Sequence, residues 1–238
     1  MSLPVAVLAG GLATRLQPLT SQIPKILLDV AGRPFAEHQI ELLKRHNVSR
    51  VVFCLGHLQE QVVAALGDGA RWQMTFEYVS DGATLAGTGG AVRRALPLLG
   101  PAFFVMYGDS YLDCDFGAIE AAFRRSGGLG LMTVHRNDDA WDRSNVEYAD
   151  DRIVRYDKVH RDAAMRHIDY GLGILTPEAF APWATDDAPL DLVAVYQRLI
   201  ATGRLAGYEV PTRFYEIGSV EGLEETRELL SARQRSST

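Results

Sequence analysis

Cysteine is scarce in this sequence: Cys54 and Cys114 are the two among 238 residues. They share no CxxC or Cys/His spacing, and each lies inside an apolar stretch. That excludes a disulfide framework, a zinc site and a redox motif, and leaves two buried thiols in a reducing compartment. Long hydrophobic runs are missing as well. The first apolar run, Leu3 to Ala9, has no charged n-region before it and is cut by Gly10 and Gly11. It is too short for a membrane span or a secretory signal, so the chain is expected to be cytoplasmic with no membrane partner. Positive charge is not in excess. With 24 Lys and Arg against 30 Asp and Glu the net charge is −6, which argues against a nucleic-acid surface spread over the whole protein and confines any phosphate site to a local cluster. No linker and no repeat is visible, and in particular no hexapeptide pattern of a β-helix.

What is present suits one globular domain covering 1–238. Hydrophobic residues make up 47% and charged residues 23%, and at this length a single domain hides roughly 70% of its unfolded surface without a staple. Short β-branched or aromatic runs alternate with amphipathic stretches: Val5 to Leu8 then Phe35 to Arg45, Val51 to Leu55 then Leu58 to Leu66, Met74 to Val79 then Ala91 to Leu99, Phe103 to Tyr107 then Phe116 to Arg125. This predicts an α/β fold, a Rossmann-like open sheet, mixed but mainly parallel and flanked by helices, with ligands at the carboxyl ends of the strands. Pro34 is expected in the first turn of its helix, and Gly67 to Gly69 at the stop of the next. Beyond Leu129 to Val134, Asn145 to Tyr148 and Arg152 to Tyr156 read as a hairpin-like pair. A strand over Ile168 to Leu175, a helix around Leu192 to Ile200, strands near Leu205 to Val210 and Phe214 to Ile217, and a helix from Val220 to Ala232 complete the chain, with Arg233 to Thr238 as a frayed tail.

The strongest local signal is Leu8-Ala9-Gly10-Gly11-Leu12-Ala13-Thr14-Arg15-Leu16, succeeded by Pro18-Leu19-Thr20 and Pro24-Lys25. A strand ending in paired glycines lets the backbone pass close to a ligand, with N–H groups facing phosphate oxygens and Arg15 and Lys25 supplying counter-charge. Taken alone the segment reads rather as a tight strand-to-helix turn with solvated cations. It is no P-loop, since no Gly-Lys-Ser/Thr comes after it, and it lacks the third glycine and ribose-binding acid of a dinucleotide site.

With its context the segment resembles the signature of the sugar-1-phosphate nucleotidyltransferases: leucine-alanine-glycine-glycine, any residue, glycine-threonine-arginine-leucine, then proline-leucine-threonine and proline-lysine. The departure is Ala13, where the family usually has glycine, so a positive φ there would be strained. Gly87-Thr88-Gly89-Gly90-Ala91 is similar to the family's loop beside the base, above all in the heptose-1-phosphate and mannose-1-phosphate guanylyltransferase branch; alone it would be a helix N-terminus that needs small residues. Gly108-Asp109 closes an apolar strand where the family supplies a Mg²⁺ ligand, and Glu216 stands where a second metal-binding aspartate is usual; alone, Asp109 reads as a helix N-cap and Glu216 as an exposed strand-end carboxylate. Asp157-Lys158 stands where the family has a glutamate-lysine pair that contacts sugar hydroxyls and sugar phosphate; read alone, the two are a solvated turn. Asp169, before Tyr170-Gly171, resembles a sugar-contacting position or is a strand-edge polar residue.

The resemblance therefore implies a nucleotide-binding half, 1–110, with Leu8, Ala9, Gly10, Gly11, Gly87 and Thr88 around the nucleotide. It implies a sugar-phosphate half, 111–238, with Asp157, Lys158 and Asp169 on the sugar phosphate. Arg15, Lys25 and Asp109 would serve the chemistry, and Asp109 and Glu216 would hold Mg²⁺. The reaction expected is transfer of a nucleotidyl group from a nucleoside triphosphate to a sugar 1-phosphate. GTP is the favoured donor, because small residues at Gly87 to Ala91 leave room for a purine, with a uridylyl or thymidylyl specificity as the alternative. A weakened sugar-nucleotide sensor, suggested by Ala13 and Glu216, is a second reading that pyrophosphate release would separate from the first. A dinucleotide-dependent oxidoreductase is a third, and the missing GxGxxG speaks against it. A homodimer is compatible with the chain, but nothing in the sequence reads it. His38, His46, His57, His135, His160 and His167 form no metal pattern and read mostly as surface or helix-terminal residues. Trp72, Trp141 and Trp183 are scattered singly and read as core or loop packing.

Overall fold

The computed structural model describes residues 2–82, 85–185 and 187–236. The chain enters through β1 (Val5–Ala9), forms a small ribbon of β2 (Asp29–Val30) and β3 (Arg33–Pro34), and continues into α1 (Phe35–Arg45). Next come β4 (Arg50–Leu55), α2 (Gln59–Leu66), β5 (Thr75–Ser80), α3 (Gly87–Leu99), β6 (Phe103–Tyr107), β7 (Ser110–Tyr111) and α4 (Phe116–Ser126). The second half comprises β8 (Gly130–Arg136), β9 (Val146–Ala149), β10 (Arg152–Tyr156), β11 (His167–Leu175), α5 (Leu192–Ala201), β12 (Leu205–Glu209), β13 (Tyr215–Glu216) and α6 (Val220–Ser236).

Nine of these strands form one sheet in the order β5-β4-β1-β6-β11-β8-β12-β10-β9. The first four are parallel, with Val5 opposite both Val51 and Phe104, while β11 runs antiparallel between β6 and β8. The expected mixed, mainly parallel sheet is what the chain forms. Its strands read as unbroken apolar runs because both faces are covered. Val5 and Val7 face Ala36, Ile40 and Leu43 of α1 and Phe116 and Ile119 of α4. Ala6 faces the other way, toward Val92 and Ala95 of α3 and Val195 and Leu199 of α5. The β9–β10 pair is joined through Asp150 and Asp151 at φ 51 and 56, the positive values that a two-residue hairpin turn requires.

Three expectations are corrected. Pro34 is the residue before α1, with φ −54 and ψ 137, because its extended ψ continues the β3 ribbon and ends one residue short of the helix. Arg233 does not fray: α6 runs to Ser236, and the Arg233 guanidinium pairs with Asp113 and reaches the Tyr111 hydroxyl. His38, His135 and His167 are buried, since main-chain or carboxylate partners satisfy them inside: His38 meets the Val30 carbonyl, His135 the Val210 carbonyl and His167 the Glu209 carboxylate. Leu223 and Leu230 of α6 form a separate cluster with Leu16, Leu28 and Phe35, so the last helix clamps the loop that carries Arg15 and Lys25.

Candidate active site

The carboxyl ends of β1, β4 and β6 converge on one side of the sheet. The approach is so close at Gly108 that a Cβ there would lie 2.7 Å from the Leu8 carbonyl oxygen, so only glycine lets β6 turn out beside β1. Over these ends lies a mostly apolar cavity of about 260 Å³, walled by Leu8 to Gly11, Cys54, Leu85, Gly87, Thr88 and Tyr107. Burial pushes the Cys54 and Cys114 thiols up to about 12, which keeps both neutral.

Lys25 and Asp109 belong both to this cavity and to a second, polar one of about 450 Å³ that also holds Arg15, Arg143, Lys158 and Arg161. Lys158, Asn145, Asp142 and Glu216 in turn join the polar cavity to a third, of about 260 Å³, lined by Tyr107, Trp141, Asp169 and Arg213. The three cavities are thus a continuous trough whose middle is cationic and whose two ends differ in polarity.

Two carboxylates from distant parts of the chain meet in the middle. The short β7–β13 ribbon pairs Glu216 with Ser110, and the Ile217 N–H donates to the Asp109 carbonyl at 2.8 Å, which sets the Glu216 side chain beside that of Asp109. The Lys25 ammonium donates to Asp109 Oδ2 at 2.8 Å. Burial holds the Glu216 carboxyl above the ordinary range and the neighbouring Asp109 charge adds to this, while Lys25 and Arg15 act in the opposite sense. Among the described residues no group of three or more potential metal-ligating side chains gathers. Two adjacent carboxylates that repel each other beside a cationic trough are nevertheless a donor set suited to Mg²⁺, which takes one or two carboxylates and fills its remaining positions with water and substrate phosphate.

The loop before Arg15 turns at Ala13, which has φ 49 and ψ 41. The strain expected there is present, and the loop is held in place by the Thr20 hydroxyl, which donates to the Ala13 carbonyl at 2.9 Å.

Lys158 projects from the end of β10, its ammonium 5.5 Å from the Tyr107 ring centre and 5.6 Å from that of Tyr156. Asp157 lies outside the walls of the three cavities. Its carboxylate accepts from the Val159 and His160 N–H groups at 2.7 and 2.9 Å, contacts that hold it below the usual carboxylate range, so it shapes the turn that presents Lys158. Asp169 lies on the central strand β11, not at a sheet edge. It accepts from the Tyr156 and Tyr107 hydroxyls at 2.8 and 3.3 Å and from the Gly171 N–H at 3.0 Å, and it lines the third cavity.

The Gly87-to-Ala91 stretch is the first turn of α3, not a loop ahead of it. Gly87 has φ 74, and a Cβ there would lie 2.5 Å from the Leu190 carbonyl oxygen, which also accepts from the Gly89 and Gly90 N–H groups at 2.8 and 3.0 Å. Its small residues answer to the 190–192 segment, and Gly87 and Thr88 also line the apolar cavity. The Thr88 hydroxyl accepts from the Leu192 N–H at 2.9 Å and donates to Asp191 at 3.2 Å, fastening the start of α5 to the cavity wall.

The sequence model of the Nucleotidyl transferase family matches residues 5–144. The chain belongs to that family. Among relatives of this nucleotidyl transferase, an N-acetylmuramate alpha-1-phosphate uridylyltransferase of Neisseria meningitidis serogroup B is 38% identical over 124 residues, 52% of either chain. The protein of the same name from Caulobacter vibrioides is 29% identical over 84% of this chain and 86% of its own length. A mannose-1-phosphate guanyltransferase of Aspergillus fumigatus is 29% identical over 72% of this chain but 49% of its own, so the chain matches about half the length of some of its curated relatives. The structure of HddC from Yersinia pseudotuberculosis complexed with GMP-PN shares the fold, with a TM-score of 0.77 at 20% identity over 96% of this chain and 99% of that one.

Several trough residues of the nucleotidyl transferase escaped sequence reading. Arg143 and Arg161 lie in loops with no motif and become neighbours only when the β9–β10 hairpin folds. Trp141, half exposed, is more than loop packing: it lines the third cavity with the Arg213 guanidinium 4.7 Å from its ring centre. Asp81 is 5% exposed and belongs to the apolar cavity; its Ser80-Asp81-Gly82 context reads as a turn. Among the described residues no helix is long and apolar enough to cross a membrane.

Proposed function

We propose that this chain transfers a nucleotidyl group from a nucleoside triphosphate, GTP by preference, to a sugar 1-phosphate of mannose or heptose configuration, with release of pyrophosphate. The observation that carries the reading is the trough itself: a mostly apolar cavity at one end, a polar cavity with hydroxyl-matching groups at the other, and five cations between them. A base, a sugar and the phosphates that must react fit that order of environments. The guanylyl preference is supported by similarity to the Aspergillus guanyltransferase. The uridylyl alternative is supported by the two N-acetylmuramate relatives.

The bond formed joins an oxygen of the sugar phosphate to the α-phosphorus, and the bond broken is that to the β-phosphate bridging oxygen, whose electrons leave with pyrophosphate. The nucleophile is already an anion, so no strong base is needed. What the protein supplies is positioning of two polyanions against their repulsion and charge where it grows. Arg15 and Lys25 face the triphosphate, Lys158 seats the sugar phosphate, and Tyr107 and Tyr156 orient Asp169 toward the sugar. Asp109 and Glu216 would hold Mg²⁺, which when bound withdraws charge from the phosphoryl oxygens.

The test is a panel of GTP, ATP, UTP, CTP and dTTP against mannose-type and heptose 1-phosphates with Mg²⁺, reading both pyrophosphate and nucleotide sugar. Formation of both supports the reaction. No pyrophosphate from any pair would leave the sensor reading standing in its place.

A further inference from the structure

Asp81 lines the apolar cavity just past β5, which among the four parallel strands lies farthest from β6 and Asp109. Its N–H donates to the Leu55 carbonyl at 2.8 Å, which fixes it at the tip of β5, and its Oδ2 lies 3.1 Å from where a Cβ on Gly10 would stand, so the carboxylate points onto the cavity floor. The strand order β5-β4-β1-β6 puts three interstrand steps, roughly 14 Å, between Asp81 and Asp109. The strand spacing separates the two backbones, and the Asp81 carboxylate reaches back toward Gly10; a nucleotide laid along that line with its α-phosphate toward Asp109 would bring the far edge of its base toward Asp81.

A buried carboxylate is an acceptor with several lone pairs and no donor of its own. Around it, the Ala86 N–H supplies one hydrogen bond, the Arg94 guanidinium is drawn to the Asp81 carbonyl, and the Cys54 thiol beside the cavity is neutral. Burial raises the Asp81 carboxyl, with Ala86 and Arg94 opposing, so further donors would stabilise its charge.

We propose that Asp81 selects the base by accepting from two adjacent N–H donors, the N1–H and the exocyclic N2–H of guanine. Uracil and thymine present one N–H between two carbonyl oxygens, which the carboxylate repels. Adenine and cytosine place a ring-nitrogen lone pair beside their amino group. Guanine alone among the five bases offers the donor pair. The proposal rests on the reading of this cavity as the nucleobase site.

The experiment is calorimetric titration of the wild-type chain with GMP, IMP and XMP, repeated with Asp81→Asn, alongside kcat/KM for GTP and UTP with a mannose-type 1-phosphate. IMP lacks the exocyclic amine and XMP carries a carbonyl in its place. The wild-type chain is expected to bind GMP at least tenfold more tightly than IMP, and Asp81→Asn, whose amide offers one acceptor and one donor, to prefer XMP over GMP. Equal affinity for GMP and IMP in the wild-type chain overturns the proposal, and that comparison stands even if the variant does not fold. UTP used as well as GTP also overturns it while leaving nucleotidyl transfer intact. Preference for GMP over IMP without any nucleotide-sugar product keeps Asp81 as the base reader and removes the transfer reaction.

Discussion

The Lys25 ammonium rests 2.8 Å from Asp109 Oδ2, with side-chain exposures of 21% and 29%. A pair this accessible contributes little to stability, about 1 kcal/mol or less. Its significance is electrostatic: the lysine neutralises one of two adjacent carboxylates. Arg15 lines the same polar cavity.

For this reason Lys25→Ala and Arg15→Ala are expected to lower kcat by tenfold or more, about 1.4 kcal/mol, while changing KM less, because charge on the α-phosphoryl group and pyrophosphate grows in the transition state. Steady-state kinetics decide the matter. A raised KM with unchanged kcat in both variants would make these residues simple binders.

Asp109→Asn is expected to retain less than about a tenth of wild-type turnover at saturating Mg²⁺, since it removes a charge from the phosphate trough at nearly constant volume. Circular dichroism of the variant should match the wild type. Greater residual activity would remove Asp109 from the metal-binding role.

Ala13 holds a left-handed backbone at φ 49 that costs an alanine roughly 1 kcal/mol or more. Ala13→Gly relieves this, partly offset by the greater freedom of glycine in the unfolded chain. The expected outcome is a melting temperature higher by up to about 4 °C. An unchanged or lower value would mean that the loop does not store the strain.

The positions of these residues explain what the sequence could and could not reveal. The parallel half was legible because Val5 to Val7 and Val51 to Leu55 are buried on both faces and therefore read as uninterrupted apolar runs. Arg15 and Lys25 were open to reading because a strand end, a glycine turn and cations fall close together in the chain, and Asp109 because it stands just past a separate apolar strand, β6. Arg143, Arg161 and Trp141 were not, because their meeting depends on where two loops fold back across the sheet. Asp157 reads two ways because a carboxylate that bonds the N–H groups of Val159 and His160 looks the same in sequence as one that faces a ligand. His38 misled in the other sense, its polarity hiding a buried place beside Val30.

His38 also makes stability depend on pH. Its Nε2–H is assigned as donor to the Val30 carbonyl at 2.7 Å, which leaves Nδ1 to accept from Arg33 Nη2 at 3.2 Å, so the ring is neutral in the fold. Burial first, and Arg33 second, hold its pKa below the ordinary value; burial acts the same way on His46 and His167. The unfolded chain therefore takes up protons first as pH falls below about 6.5, and stability, complete above that pH, declines beneath it. Melting curves from pH 8 to pH 5.5 should show the decline, and His38→Gln should reduce it. An equal decline in the variant would place the effect elsewhere.

The most direct test traces the oxygen atoms. With a sugar 1-phosphate carrying ¹⁸O in its phosphate and unlabelled GTP, mass spectrometry of the products shows which bond is made. Direct attack on the α-phosphorus predicts that every labelled oxygen stays in the nucleotide sugar and that pyrophosphate carries none. Label in the pyrophosphate, or no labelled nucleotide sugar with any triphosphate, would contradict direct nucleotidyl transfer.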